Sequence, residues 1–273
     1  MRSIEFYKLT GGGNDFIIID NRDGKIDVDK LRPLIPRICR RCYSVGADGL
    51  ILIEESDRAD FRWHFFNSDG SEAEMCGNGG RCAARLAYLL GMAPEELVFE
   101  TAVGLVSARV NGRQVRISLP PPSRIEQGVK VEIGGKVVTG DFINTGVPHF
   151  VIIAEDLEGV NVEGVGRKIR WSPEFQPAGT NVDFIFPSGE EVRIRTYERG
   201  VEGETLACGT GAVAAALIAH LHGYTTSPTT VIPRSKEPLT VHYRKEGEGF
   251  TDLELEGEVR VIYKGKLDEE AIW

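Results

Sequence analysis

Cys76 and Cys208 open the same phrase 132 residues apart, and this repetition constrains the fold more than any other feature. The first copy, Cys76-Gly77-Asn78-Gly79, runs into an Ala/Leu-rich stretch ending at Gly91. The second, Cys208-Gly209-Thr210-Gly211, runs into a similar stretch ending at Gly223. Eight of the sixteen positions are identical with no gap allowed. Weaker echoes keep the same order, at offsets of 131 to 134. Gly13-Asn14-Asp15-Phe16 answers Val147-Pro148-His149-Phe150, Gly46-Ala47-Asp48-Gly49 answers Gly179-Thr180-Asn181-Val182, and the Asn67 loop answers the Glu198-Arg199 loop. Solenoid repeats are far shorter, so a period this long predicts two fused homologous domains.

From Ala212 to Ala219 every residue is apolar, which predicts a helix buried on all sides. Its alanines let strands approach closely. Most of the remaining chain alternates apolar and polar residues as strands do, for example over 61–66, 97–101, 115–119, 192–197, 239–243 and 259–263. The expected fold class is α+β: two pseudo-symmetric domains from an internal duplication, each a curved, mainly antiparallel sheet around a central helix. A further helix is expected over 27–43, with Pro33 and Pro36 confining its regular part to the C-terminal half. Pro120-Pro121-Pro122 is the natural linker. It divides the chain into residues 1–122, carrying Cys76, and 123–260, carrying Cys208, with 261–273 returning to the first domain as a strand.

A net charge of −9 argues against a nucleic-acid partner. No stretch approaches 18 apolar residues, so no membrane span is expected. Residues 1–20 lack the basic-then-apolar pattern of a signal peptide. Five cysteines, an odd number, fit a reducing cytoplasm rather than a disulfide framework. Cys39 and Cys42 form a CxxC without the second ligand pair a metal site needs, and read as two helix cysteines. Cys82 reads as a packed thiol. No metal site is expected.

The chemistry follows from placing cysteine and glycine at a helix start. A free thiol has a pKa of about 8.5, which a helix N-terminus can lower. The first N–H groups of a helix lack intrahelical partners, carry partial positive charge and form an anion site. Glycine at 77, 79, 209 and 211 removes Cβ atoms that would hinder a ligand's approach to that backbone. Two such starts facing each other suit one carboxylate, with its α-carbon between two sulfurs. One thiolate then removes the α-proton and the opposing thiol returns one to the other face. Donors aimed at the carboxylate stabilise the carbanion as charge develops. No cofactor is required, and the sequence holds neither a Rossmann glycine fingerprint after a strand nor a P-loop.

These residues resemble the diaminopimelate epimerase family over nearly the whole chain. The carrying blocks are Gly13-Asn14-Asp15-Phe16, Gly46-Ala47-Asp48-Gly49, Asn67-Ser68-Asp69-Gly70-Ser71 leading to Cys76-Gly77-Asn78-Gly79-Gly80-Arg81, Pro148-His149, Asn181-Val182-Asp183-Phe184, and Tyr197-Glu198-Arg199-Gly200 leading to Cys208-Gly209-Thr210-Gly211. The resemblance implies interconversion of LL- and meso-diaminopimelate without pyridoxal phosphate, by a homodimer. It implies Cys76 and Cys208 as the acid/base pair. It implies the N–H groups of Gly77, Asn78, Gly209 and Thr210 on the reacting carboxylate. Asn14, Asn67, Asn181 and Arg199 would hold the substrate's amino and carboxylate groups, Glu198 would accept from an ammonium, and His149 would support the site. The guanidinium of Arg199 suits a carboxylate because its fork donates two parallel bonds.

Read without the resemblance, Asn67 and Asn181 are turn residues, His149 serves equally as a packed strand-end histidine, and Glu198-Arg199 is a solvated loop pair. Two positions depart from the family pattern: Val147 and Gly49 stand where many members have Asn and Gln, with Asn144 near enough to replace one contact. A proline or hydroxyproline racemase shares the paired thiols, but such enzymes carry His where this chain has Asn78. A silent amino-acid binding protein and a thiol-redox protein are the readings from other classes.

Overall fold

The computed structural model describes residues 4–73 and 75–272. The chain divides into two compact units, one ending at Ile117 and resuming at Gly257, the other spanning Ser118–Glu256. The division precedes the triproline because Leu119 N–H already donates to Leu253 within the second unit.

In the first unit, β1 (Ile4–Gly11) and β2 (Asn14–Asp20) form a hairpin, and β2 runs parallel to β3 (Gly49–Glu54). β4 (Phe61–Asn67) returns antiparallel and is followed by helix α3 (Gly77–Leu89), β5 (Glu96–Thr101), β6 (Gly104–Asn111) and β7 (Gln114–Ser118). The last strand of the chain, β16 (Gly249–Leu267), brings its C-terminal part antiparallel to β1, as Ile4 opposite Leu267 and Gly11 opposite Val259 show. Val259 N–H also donates to Arg113 O beside β7, which curls the sheet around α3.

The region over 27–43 is not one helix. Asp27 caps a single turn, α1 (Val28–Leu31), by accepting from Asp29 and Lys30 N–H. A 3₁₀ turn (Arg32–Leu34) and a second short helix, α2 (Ile35–Ile38), follow. Pro33 and Pro36 each sit at a first-turn position, where the missing N–H costs nothing, and so start new turns rather than interrupting one helix. Regular structure ends at Cys39, and Cys42 takes a left-handed φ of 69°, so the CxxC is not a helical pair.

The second unit repeats the plan. Here β8 (Ser123–Ile133), β9 (Lys136–Asn144) and β10 (Pro148–Ile153) are antiparallel neighbours. β10 runs parallel to β11 (Asn181–Ser188), which pairs antiparallel with β12 (Glu191–Glu198). Helix α4 (Val162–Arg170) covers the outer face, and a two-residue strand β13 (Gly203–Glu204) edges β12. Then α5 (Gly209–Leu221) enters the centre, and β14 (Thr229–Ile232) and β15 (Leu239–Glu246) close around it. Every residue from Ala212 to Ala219 has 0% exposure, as an all-apolar helix requires.

The registers refine the duplication. Phe16 lies opposite Gly49 and Ile51 opposite Phe65; His149 lies opposite Asn181 and Asp183 opposite Thr196. Ile17, Leu50 and Phe66 pack in one outer cluster, as Phe150, Val182 and Tyr197 do in the other. Phe16 therefore corresponds to His149, not to Phe150, and Gly49 to Asn181, not to Val182. Matching identical letters slips these two segments by one residue, which in a strand exchanges the inner and outer faces.

Candidate active site

Each cysteine is the N-cap of its unit's central helix. Cys76 (φ −146°, ψ 115°) and Cys208 (φ −121°, ψ 117°) are extended, and their carbonyls accept the first helical bonds from Gly80 and Ala212. Gly77 and Asn78, and equally Gly209 and Thr210, follow as the first two helical residues. N–H groups at these positions have no intrahelical acceptor and point outward. Cys76 Sγ accepts from Gly79 N–H at 3.4 Å.

The glycines at 79 and 211 do different work from that expected. A Cβ at Gly79 would meet Ile51 at 3.3 Å and Phe16 at 3.5 Å; one at Gly211 would meet Asp183 Oδ1 at 2.9 Å and Thr196 Oγ1 at 3.3 Å. These glycines let the helix start lie against the sheet. They face the protein rather than a ligand.

In the first unit Asn14 and Asn78 are joined. Asn78 Nδ2 donates to Asn14 Oδ1 at 2.7 Å, its Oδ1 accepts from Arg81 Nη2 at 2.8 Å, and Asn14 Nδ2 donates to Asp48 Oδ2 at 2.9 Å. Asp48 also accepts from Asp15 N–H and from Arg41, which reaches Asp15 as well; Lys8 completes the cluster with a 2.8 Å contact to Asp15. Burial acts to raise the Asp15 carboxyl, but Arg41 and Lys8 outweigh it and hold the group below its usual range. The side chain of Asn78 is thus structural, and only its N–H faces outward as an anion donor would. Asn67 ends β4 exposed, with Nδ2 donating to Ser71 Oγ at 3.0 Å, as a turn residue does.

Gly49 has no room for a side chain. A Cβ there would fall 2.7 Å from both Phe65 Cε2 and Phe66 O. The missing glutamine is therefore matched by an aromatic ring occupying the adjacent space. Gly49→Gln is expected to cost about 1–3 kcal/mol by overpacking. A urea titration showing a loss below about 0.5 kcal/mol would contradict this.

The second unit assembles more of the expected residues. His149, at 0% exposure, places Nδ1 2.6 Å from Asp183 Oδ2 and Nε2 3.0 Å from Thr210 Oγ1. Thr210 Oγ1 is in turn 3.4 Å from Cys208 Sγ. Asn181 is buried, with Nδ2 3.3 Å from His149 Nε2 and Oδ1 accepting from Arg199 N–H at 2.7 Å. The guanidinium of Arg199 donates to Ala178 O at 2.8 Å. At the departure point, Asn144 Oδ1 accepts from Gly146 N–H, so its oxygen closes its own turn.

The Cys208 thiol is not made easier to ionise. Burial pushes its pKa well above the ordinary range, the charges of Glu198 and Asp183 push the same way, and the hydrogen bond from Gly211 N–H opposes them without prevailing. A helix N-terminus supplies about 0.3–1 kcal/mol, less than one pKa unit. That is too little to overcome desolvation with two carboxylates nearby.

Sequence reasoning passed over Asp183, Thr196 and Asp48. The alternation within Asn181-Val182-Asp183-Phe184 carries the signal for Asp183, since residues two apart share a strand face.

A family model described as Diaminopimelate epimerase matches residues 6–124 and 142–261. The diaminopimelate epimerase of Aquifex aeolicus (strain VF5) is 48% identical over 98% of this chain and 99% of its own length. That of Hydrogenobaculum sp. (strain Y04AAS1) is 43% identical over 96% and 98%. Among solved structures, a PhzF-family phenazine biosynthesis protein of Bacillus anthracis shares the fold at a TM-score of 0.76 and 14% identity, covering 98% of this chain and 99% of its own. A hydroxyproline epimerase from Agrobacterium vitis does so at 0.67 and 16%, covering 98% and 93%. With two duplicated N-cap cysteines inside the matched regions and relatives aligned along nearly the full length, this chain belongs to the diaminopimelate epimerase family.

Proposed function

We propose that this protein interconverts LL- and meso-diaminopimelate by moving the α-proton between two cysteines, without a cofactor. The observation that carries the reading is the pair of N-cap thiols, Cys76 and Cys208, in a chain 48% identical to a diaminopimelate epimerase. Cys76 takes or gives the proton on one face of the α-carbon and Cys208 on the other. The outward N–H groups of Gly77, Asn78, Gly209 and Thr210 receive the adjacent carboxylate, where negative charge grows as the proton leaves. Asn14, Asn67, Asn181 and Arg199 bind the amino and carboxylate groups of the substrate, chiefly at its distal end, and Glu198 accepts from an ammonium. The raised pKa of Cys208 supports its starting as the protonated thiol, the acid in the resting enzyme. The family resemblance supports a homodimer in the cytoplasm. Among the described residues no helix is long and apolar enough to cross a membrane.

The test is proton NMR of the reduced protein in heavy water with LL-diaminopimelate, L-proline and trans-4-hydroxy-L-proline in separate tubes. Loss of the α-proton signal with appearance of the meso isomer, and unchanged prolines, is the expected result. Exchange confined to a proline tube would transfer the assignment to a racemase. No exchange with free thiols would point to a binding protein.

A further inference from the structure

The two units use one frame with opposite chemistry on the sheet face that meets the central helix. In the first unit the face presents Phe16, Gly49, Ile51 and Phe65; the corresponding residues of the second are His149, Asn181, Asp183 and Thr196. The missing Cβ of Gly79 looks onto Ile51 and Phe16, that of Gly211 onto Asp183 and Thr196. A duplicated scaffold had an apolar solution at hand, and the second unit instead buries four polar side chains. Buried polar groups cost free energy unless they are fully hydrogen-bonded, and these four are bonded in a continuous chain.

The bond directions follow from one fixed donor. Arg199 N–H can only donate, so the atom of Asn181 that meets it at 2.7 Å is the oxygen. The Asn181 NH₂ group therefore faces His149 Nε2. A donor on that side requires Nε2 to be an acceptor, without a proton. The ring proton then sits on Nδ1, donated to Asp183 Oδ2 at 2.6 Å. The second carboxylate oxygen accepts from Thr196 Oγ1 at 2.6 Å, which fixes the carboxylate plane. Thr210 Oγ1, at 3.0 Å against 3.3 Å for the Asn181 amide, is the nearer of two donors sharing the single Nε2 lone pair, and its own lone pairs remain for the Cys208 S–H at 3.4 Å.

We infer that Asp183, held by Thr196, is a positioning residue that fixes His149 as the neutral Nδ1–H tautomer and so keeps Thr210 accepting from the Cys208 thiol. The inference deepens the two-thiol reading and rests on it for its catalytic consequence. Asp183 never touches substrate; it acts through His149 and Thr210. The first unit has no counterpart, since Ile51 and Phe65 stand at these positions. The polar chain behind Cys208 is therefore not a consequence of the helix start that the two units share.

The experiment uses full-length protein with ¹⁵N-labelled histidine and long-range ¹H–¹⁵N correlation near neutral pH, with His149→Gln identifying the signal. The wild type is expected to show His149 as the neutral Nδ1–H tautomer. Asp183→Asn is expected to lower kcat by about 100-fold, with KM for diaminopimelate changed by less than about three-fold and the His149 tautomer signature altered. Thr196→Val, which keeps the side-chain shape, is expected to lower kcat by about ten-fold, the worth of one hydrogen bond to a charged group. It supplies the same readings if Asp183→Asn does not fold. A wild-type His149 that is doubly protonated or carries its proton on Nε2 overturns the proposal. So does a folded variant with unchanged kcat. The tautomer needs no turnover to be read, so a wild type inactive on diaminopimelate defeats the functional reading while this one is still decided.

Discussion

Cys76→Ala and Cys208→Ala each lose interconversion of the diaminopimelate isomers, with kcat falling by at least about 10³-fold. The expectation follows from the division of labour between faces. A base that removes the proton from one face cannot return it to the other, so one remaining thiol cannot complete an inversion. Substrate affinity is expected to fall far less, because the N–H groups proposed to hold the carboxylate belong to the backbone. The controls are the thiols outside the helix caps. Cys82 lies fully buried within α3, and burial raises its pKa steeply; burial likewise pushes Cys39 up to about 12. Neither can ionise usefully at neutral pH, and Cys39→Ala and Cys82→Ala should retain turnover. The measurement is isomer ratio against time by NMR. Either helix-cap variant turning over within about ten-fold of wild type would remove the two-thiol assignment.

Phe99→Ala is expected to cost about 3–5 kcal/mol of stability, the range for deleting a fully buried aromatic ring. Phe99 has 0% exposure and stacks on Phe61 at 5.2 Å with planes 3° apart, and meets Trp63 edge-on at 5.5 Å. Its register partner on β4 is Phe61 itself, so two parallel strands lose their shared packing together. The ring also supports the start of α3: a Cβ on Gly80 would lie 3.2 Å from Phe99 Cζ. Removing it opens a cavity directly behind the turn that carries Cys76. The effect should therefore appear in the midpoint of urea unfolding and, in the folded variant, as reduced turnover. A stability loss below about 1 kcal/mol would show that the neighbouring rings collapse into the space.

What the sequence could convey was whatever depends on short spacings. The gapless match between the two cysteine phrases, the all-apolar run 212–219 and the alternating strands state local geometry directly, because helix and strand periods are set by the backbone. Those features determined the duplication, the central helices and the placing of both thiols at helix caps. The region 27–43 shows the limit of the same logic. Two prolines were legible as constraints, but they start successive turns once Ile35 and Ile38 pack among Ile17, Leu50 and Phe66. The one-residue slips at Phe16/His149 and Gly49/Asn181 have a similar origin, since only strand pairing reveals which face a residue joins.

The site divides along the same line. Cys76, Cys208, His149 and the Asn and Arg set were nameable as residue types, but their partners come from strands far apart in sequence. Only tertiary structure decided that Asn78 spends its side chain on Asn14 and Arg81, that Phe65 fills the space beside Gly49, and that Asp183 orients His149. Only it decided the direction of the Cys208 shift. The helix start favours the thiolate by a local and sequence-visible effect, whereas desolvation and the charges of Glu198 and Asp183 depend on what the fold packs around the sulfur. The sequence by itself determined two thiol-capped helices in a duplicated frame; the tertiary structure decided the direction in which Cys208 is shifted, because desolvation and long-range charged neighbours outweigh helix position there.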